Sequence, residues 1–162
     1  KEHSVSKITK SEKQTWKFGA EFSSMLLPGD IIGLNGGLGA GKTRFVKGMA
    51  AGLGSGDMVA SPTFTYVQEY KCGDKKLVHF DFYRIENIEK LESTGYSGYF
   101  SLPGVIIAAE WAELIPETGR DLTWLVEFEI KDENSRKITI YRIKNLILRK
   151  IIYRGRLNFI YR

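Results

Sequence analysis

Eight consecutive residues, Gly36-Gly37-Leu38-Gly39-Ala40-Gly41-Lys42-Thr43, satisfy the pattern G-x-x-x-x-G-K-[ST] at every fixed position. Each residue type has a physical reason to be there. Glycines let the backbone turn successive amide N–H groups inward, which makes an anion-binding hollow at the start of a helix. Lys42 sets a compact positive charge against the outer phosphates of a nucleotide, and Thr43 offers a hydroxyl to a magnesium ion. The expected ligands are therefore ATP or ADP with Mg2+, held by Gly36, Gly37, Leu38, Gly39, Ala40, Gly41, Lys42 and Thr43.

Such a loop needs a carboxylate at the end of a neighbouring strand to complete the cation site and support hydrolysis. Two acids qualify: Asp81 follows Leu77-Val78-His79-Phe80, and Glu110 ends the apolar run Val105 to Ala109. His79 shares a strand face with Asp81, because side chains two apart point the same way, while Phe80 and Phe82 take the other face. A structural role is the expectation for His79. Trp111, directly after Glu110, is placed either to wall the pocket or to meet a partner. Ser61-Pro62-Thr63 forms a loop whose hydroxyls either sense the outermost phosphate or cap a turn.

Several elements must position these residues. Ser11-Glu12-Lys13-Gln14 reads as a capping box, and Phe18, Phe22, Met25 and Leu26 recur at helical spacing until Pro28-Gly29. Ile31-Ile32-Gly33-Leu34 suits a buried parallel strand leading into the glycine loop, with a helix from Lys42 to about Leu53. Thr63 to Lys71 and Lys76 to Phe82 flank Cys72-Gly73-Asp74 and predict a hairpin. A short helix around Glu86 to Leu91 precedes the buried strand at Val105, and strands near Trp124 to Ile130 and Lys137 to Tyr141 follow. The fold class predicted is α/β, a P-loop NTPase-like mixed sheet flanked by helices, with antiparallel hairpins.

The 162 residues are enough for one domain with a real core and too few for two. Residues 1–141 are read as a single P-loop ATPase domain and residues 142–162 as its basic extension. All nineteen acids lie at or before Glu133, whereas nine Lys and Arg and no acid occur from Arg136 onward. That tail carries Tyr141, Tyr153, Phe159 and Tyr161, a composition able to contact RNA, but Leu146, Ile147, Leu148, Ile151 and Ile152 favour packing. The lone Cys72 excludes an intrachain disulfide and a cysteine metal cage, which fits a reducing compartment. No run of eighteen apolar residues and no signal-peptide core occurs, so the expectation is a cytoplasmic chain with no membrane association.

The string Leu38 to Thr43, then Ser61-Pro62-Thr63-Phe64-Thr65, His79-Phe80-Asp81-Phe82-Tyr83-Arg84 and Glu110-Trp111 resembles the TsaE (YjeE) ATPases of bacterial tRNA threonylcarbamoyladenosine synthesis. The match spans about Ser11 to Ile140. The resemblance implies an ATPase that works with TsaB and TsaD, which reaches tRNA indirectly, through that complex. It also implies that Thr43 and Glu110 are magnesium ligands, that Asp81 and Trp111 are needed for hydrolysis beside Lys42, and that Ser61 and Thr63 form a switch. The family usually carries Asp where this chain has Gly37, and the basic extension is longer than the family pattern. Two other uses of the loop stay open: a small-molecule kinase, for which an arginine-rich lid is lacking, and an RNA-binding module switched by nucleotide. An Asn-Lys-x-Asp guanine-reading segment is absent, which favours adenine.

Overall fold

The computed structural model of the chain describes residues 2–56 and 65–143, together with the residue pairs 152–153 and 156–157. Its elements run β1 (Glu2–Thr9), α1 (Glu12–Ser23), β2 (Ile31–Asn35), α2 (Lys42–Gly52), β3 (Val67–Cys72), β4 (Lys75–Asp81), α3 (Ile88–Glu92), β5 (Val105–Glu110), β6 (Trp124–Ile130) and β7 (Arg136–Arg142). Two-residue strands β8 (Ile152–Tyr153) and β9 (Arg156–Leu157) pair with each other. Residues 144–151, 154–155 and 158–162 of the basic extension lie outside the described residues, as do Ser61 and Thr63.

One seven-stranded sheet organises the chain in the order β1-β7-β6-β2-β5-β4-β3. Its centre is parallel: β2 pairs with both β5 and β6, and β4 pairs with β5. Antiparallel pairs close the two sides, β3 with β4 and β6 with β7 with β1. The short apolar run predicted as a buried strand is buried along Ile31 to Leu34 because helices or turns cover both of its faces.

Strand alternation divides the core into two layers. Leu34, Leu77, Ile106 and Val126 face Phe18, Phe22, Phe45 and Met49 of α1 and α2. Val78, Phe80, Ile107 and Leu122 face Leu91 and the turns around Tyr96 and Ile115 on the other side. The single-residue shift between Leu77 and Val78, or Ile106 and Ile107, is the period-2 rule at work. Cys72 is buried at the end of β3, packed among the first layer rather than exposed in the hairpin turn.

Three local expectations change. The helix predicted to reach Pro28 ends at Ser23, where the Ser23 and Ser24 hydroxyls donate to the Ala20 and Glu21 carbonyls at 2.7 and 2.8 Å and compete with continued helix. The capping box forms one residue out of register: Gln14 N–H donates to Ser11 Oγ, but Gln14 Oε1 accepts from Lys10 N–H. Strand β1 has no counterpart in the sequence reading, because it is an edge strand whose side chains from Ser4 to Ile8 are all exposed. Without a buried face it leaves no hydrophobic alternation to read.

Helices α1 and α2 cross so closely that glycines are required. A Cβ built on Gly48 would lie 1.9 Å from the Trp16 carbonyl oxygen, and one on Gly19 would lie 2.1 Å from the Phe45 carbonyl oxygen. The close crossing holds α2, and with it the loop that precedes it, against the sheet. Gly48→Ala is expected to lower unfolding stability in urea by about 2 kcal/mol or more, through forced separation of the helices. An unchanged midpoint would show that the crossing yields without cost.

Candidate functional site

The loop between β2 and α2 owes its shape to two glycines above all. Gly41, the N-cap of α2, has φ +98°, and Gly36 has φ +146° with no space for a Cβ, which would fall 2.7 Å from the Phe128 carbonyl oxygen. Gly37 is different: φ is not in the left-handed region and a Cβ there meets nothing within 4 Å. Leu38 projects from the tip, 79% exposed, while Ala40 is buried beneath.

The hydrogen bonds of the loop leave its concave side available. Ala40 N–H donates to the Gly37 carbonyl at 3.2 Å and Phe45 N–H to the Gly41 carbonyl at 2.9 Å. The N–H groups of Gly41, Lys42 and Thr43 have no protein acceptor among the described residues. Successive unpaired donors at a helix start attract an anion through their own dipoles and the helix macrodipole.

Lys42 lies across this hollow. Its ammonium donates to the carbonyls of Gly36 and Gly37 and sits 3.6 Å from the centroid of the Trp111 ring. Burial pushes the Lys42 amine below its ordinary value of 10.5, while the negative charges of Glu110, Glu113 and Asp81 pull it back up. A group so placed gains from an anion that restores the favourable surroundings of its charge.

The parallel pairing of β2, β5 and β4 brings the two predicted acids to the loop. Leu34 is in register with Glu110, and Asp81 is in register with Glu110, so both carboxylates end their strands on the loop side of the sheet. Thr43 Oγ1 donates to Glu110 Oε1 at 2.6 Å, which leaves the hydroxyl lone pairs for a cation. His79 Nε2 bonds the same oxygen at 2.8 Å. Asp81 Oδ1 accepts from Tyr83 N–H at 3.0 Å, a turn-forming bond, with its side chain still lining the loop cleft. Burial, reinforced by the charge of Glu110, pushes the Tyr70 phenol up to about 12.

Trp111 faces the loop. Its φ of +60° is rare for a bulky residue and turns the chain sharply after β5, so that the ring covers Lys42 and meets the Tyr83 ring 5.0 Å away. The resulting cleft, about 330 Å³, is lined by Lys42, Thr43, Asp81, Glu110, Trp111 and Arg84 among others. A second cleft of about 180 Å³ opens on the other flank of the loop, between Ser11 and Thr15 of the α1 region and Asn134 and Arg136 near the β6–β7 turn.

Of the predicted site residues, the structure gathers Leu38 to Thr43, Asp81, Glu110 and Trp111 around one cleft, with Gly36 and Gly37 reached through the bonds of Lys42 to their carbonyls; Thr63 and Ser61 lie outside the described residues. His79 is buried, as a structural histidine should be, yet touches the site through Glu110. Sequence reading missed Glu113, whose Oε1 accepts from Gly36 N–H at 3.2 Å, and the flank formed by Asn134 and Arg136. Neither carries a spacing signal, since both reach the loop through sheet topology.

The donor set fits a small hard cation. Thr43 has given its hydrogen to Glu110, and Glu110 Oε2 has no hydrogen-bond partner among the described residues. Among those residues no group of three His, Cys, Asp or Glu side chains is placed to cage a metal, so nucleotide phosphates and water would have to complete the coordination, as is usual for magnesium. No described helix is long and apolar enough to cross a membrane.

Comparison with known proteins gives the family. The family described as threonylcarbamoyl adenosine biosynthesis protein TsaE matches residues 9–138. The chain is 39% identical over 137 residues to the tRNA threonylcarbamoyladenosine biosynthesis protein TsaE of Aquifex aeolicus, covering 83% of this chain and 94% of that protein. It is 42% identical over 118 residues to the protein of the same name from Bacillus subtilis, covering 73% of each. A crystal structure of YdiB from Bacillus subtilis superposes with a TM-score of 0.70 at 31% identity, covering 88% of each chain. Matched by that family over residues 9–138 and by relatives at 39% and 42% identity, the chain belongs to the TsaE family.

Proposed function

We propose that this chain is a magnesium-dependent P-loop ATPase that serves tRNA threonylcarbamoyladenosine synthesis in the cytoplasm, acting with TsaB- and TsaD-like partners. Relatives at 39% and 42% identity bear the name of that biosynthesis. The observation that carries the reading is the bond from Thr43 Oγ1 to Glu110 Oε1, because it assembles a cation site at the mouth of a phosphate-binding loop.

In this reading the triphosphate lies on the N–H groups of Gly41, Lys42 and Thr43, and Lys42 leaves the Gly36 and Gly37 carbonyls to bind the β- and γ-phosphates. Thr43 and Glu110 would hold the magnesium ion. When bound, that ion would supply positive charge that offsets the negative charge developing on the leaving group. Asp81, beside Glu110, orients the attacking water and accepts its proton, while Trp111 shields the cleft from bulk solvent. Thr63, with Ser61, acts as the switch segment. The ribose and adenine take the second cleft, against Asn134 and Arg136, which offers hydrogen-bonding groups on the far flank of the loop. Reaction on tRNA belongs to the partner complex, and contact with tRNA is indirect.

Residues 1–141 act as the ATPase domain, with residues 142–162 as its basic extension. Mixing the chain with TsaB and TsaD and following ATP hydrolysis tests the assignment. Stimulated hydrolysis is expected; the absence of both association and stimulation would contradict it.

Three expected outcomes follow from the geometry. Lys42→Ala should weaken ATP binding by about ten- to a hundredfold in calorimetry, the worth of a charge-assisted hydrogen bond. Wild-type affinity should decline with rising pH at a pH below 10.5, because the ammonium form binds phosphate and burial has lowered its deprotonation point; a flat profile up to that pH would contradict the placement of Lys42. Gly37→Asp should change folding stability by less than about 0.5 kcal/mol, since the position is open and not left-handed. A large loss of stability in thermal denaturation would show a constraint the backbone does not reveal.

A further inference from the structure

His79 is completely buried, yet its neighbours across the sheet are not those of a space-filling ring. In the β4–β5 pairing His79 lies opposite Ala108 and Asp81 opposite Glu110. Side chains two apart share a face, so His79 and Asp81 stand on one side of β4, and Ala108 and Glu110 on the same side of β5. The Ala108 methyl leaves room beside the imidazole, which reaches diagonally past it to Glu110.

The contact has a definite chemistry. His79 Nε2 lies 2.8 Å from Glu110 Oε1, and Thr43 Oγ1 donates to that same oxygen at 2.6 Å. Two donors converging from different elements fix both the position and the plane of the carboxylate. The other oxygen, Oε2, is left with no hydrogen-bond partner among the described residues. On the far side of the ring, Nδ1 is buried and has no hydrogen-bond partner among the described residues. A leucine or phenylalanine would fill this volume without burying an orphan nitrogen, so packing alone does not account for histidine. What the ring adds is one hydrogen bond, and it goes to Glu110.

We infer that His79 is a positioning residue that holds the Glu110 carboxylate by Oε1, so that Oε2 is presented to the cation carried with the nucleotide. This rests on the reading of Glu110 as a cation ligand given above. Carboxylates that ligate metals are commonly oriented by hydrogen bonds from a second layer of side chains, whose removal weakens metal binding by about 10- to 100-fold. His79 bridges the hydrophobic layer under β4 to the one acid that touches the loop threonine. It transmits the rigidity of the core to the cation site.

The test compares His79→Gln, whose amide nitrogen can reach the place of Nε2, with His79→Asn, whose amide is too short. The full chain with saturating ADP is titrated with Mn2+ and followed by loss of the free-ion electron paramagnetic resonance signal. ADP affinity in EDTA is measured alongside. Expected are Mn2+ affinity within about threefold of wild type for His79→Gln, a loss of about tenfold or more for His79→Asn, and unchanged metal-free ADP affinity for both. The inference is overturned by wild-type Mn2+ affinity in His79→Asn, by loss of Mn2+ and metal-free ADP binding together in both variants, or by failure of both variants to fold. Glu110→Gln separates the two levels of the argument. If it leaves Mn2+ affinity unchanged, the Glu110 reading itself fails; if it weakens Mn2+ while His79→Asn does not, only the role of His79 fails.

Discussion

The hydrogen bond from Thr43 to Glu110 joins two segments 67 residues apart in sequence, and the arrangement of the cleft depends on it. It exists only because β2 and β5 lie side by side and parallel, with Leu34 opposite Glu110. A parallel pair requires a crossover, and here α2 opens that crossover with the glycine loop at its N-terminus. The loop, the helix dipole and the strand-end acid therefore come together through topology at the end of the sheet where ligands bind in folds of this class. The close packing of α1 on α2 through Gly19 and Gly48 then fixes the helix whose first turn contributes Lys42 and Thr43.

Charge within the cleft is balanced in an instructive way. Lys42 is nearly buried and surrounded by three carboxylates, two of which end adjacent strands. In that setting the ammonium rests on loop carbonyls and on the face of Trp111, an arrangement of partial charges that, on the proposed function, a triphosphate would outcompete with full ones. The left-handed backbone at Trp111 is what brings the indole over the lysine, so an unusual backbone conformation sits beside the candidate site.

Much of this was legible in the residues. The glycine loop announces itself by spacing, Ile31 to Leu34 by an unbroken apolar run, and Glu110 by standing at the end of a second such run. Each is a local signal with a local cause. What escaped reading is what depends on pairing. Strand β1 has no buried face, so it carries no alternation. The end of α1 is set by serine hydroxyls bonding back to carbonyls, which compete with an apolar pattern that continues past them. Glu113, Asn134 and Arg136 approach the loop because β5 and β6 flank β2, and nothing near them in sequence points to a phosphate site. His79 looked like core, and it is core; its link to Glu110 follows from the register of β4 on β5.

The geometry assembles a set of parts at the loop: N–H donors of Gly41 to Thr43, a lysine resting on loop carbonyls, a threonine that donates its hydrogen to Glu110, and a carboxylate with one oxygen left over. The central claim is that Thr43 and the N–H groups beside it grip a magnesium–triphosphate. A crystal structure of the chain with a non-hydrolysable ATP analogue and Mg2+ tests it most directly. The account predicts Thr43 Oγ1 at about 2.0–2.1 Å from the ion, with the Lys42 ammonium moved from the loop carbonyls onto the outer phosphates. A triphosphate bound elsewhere, or an ion held without Thr43, would contradict it.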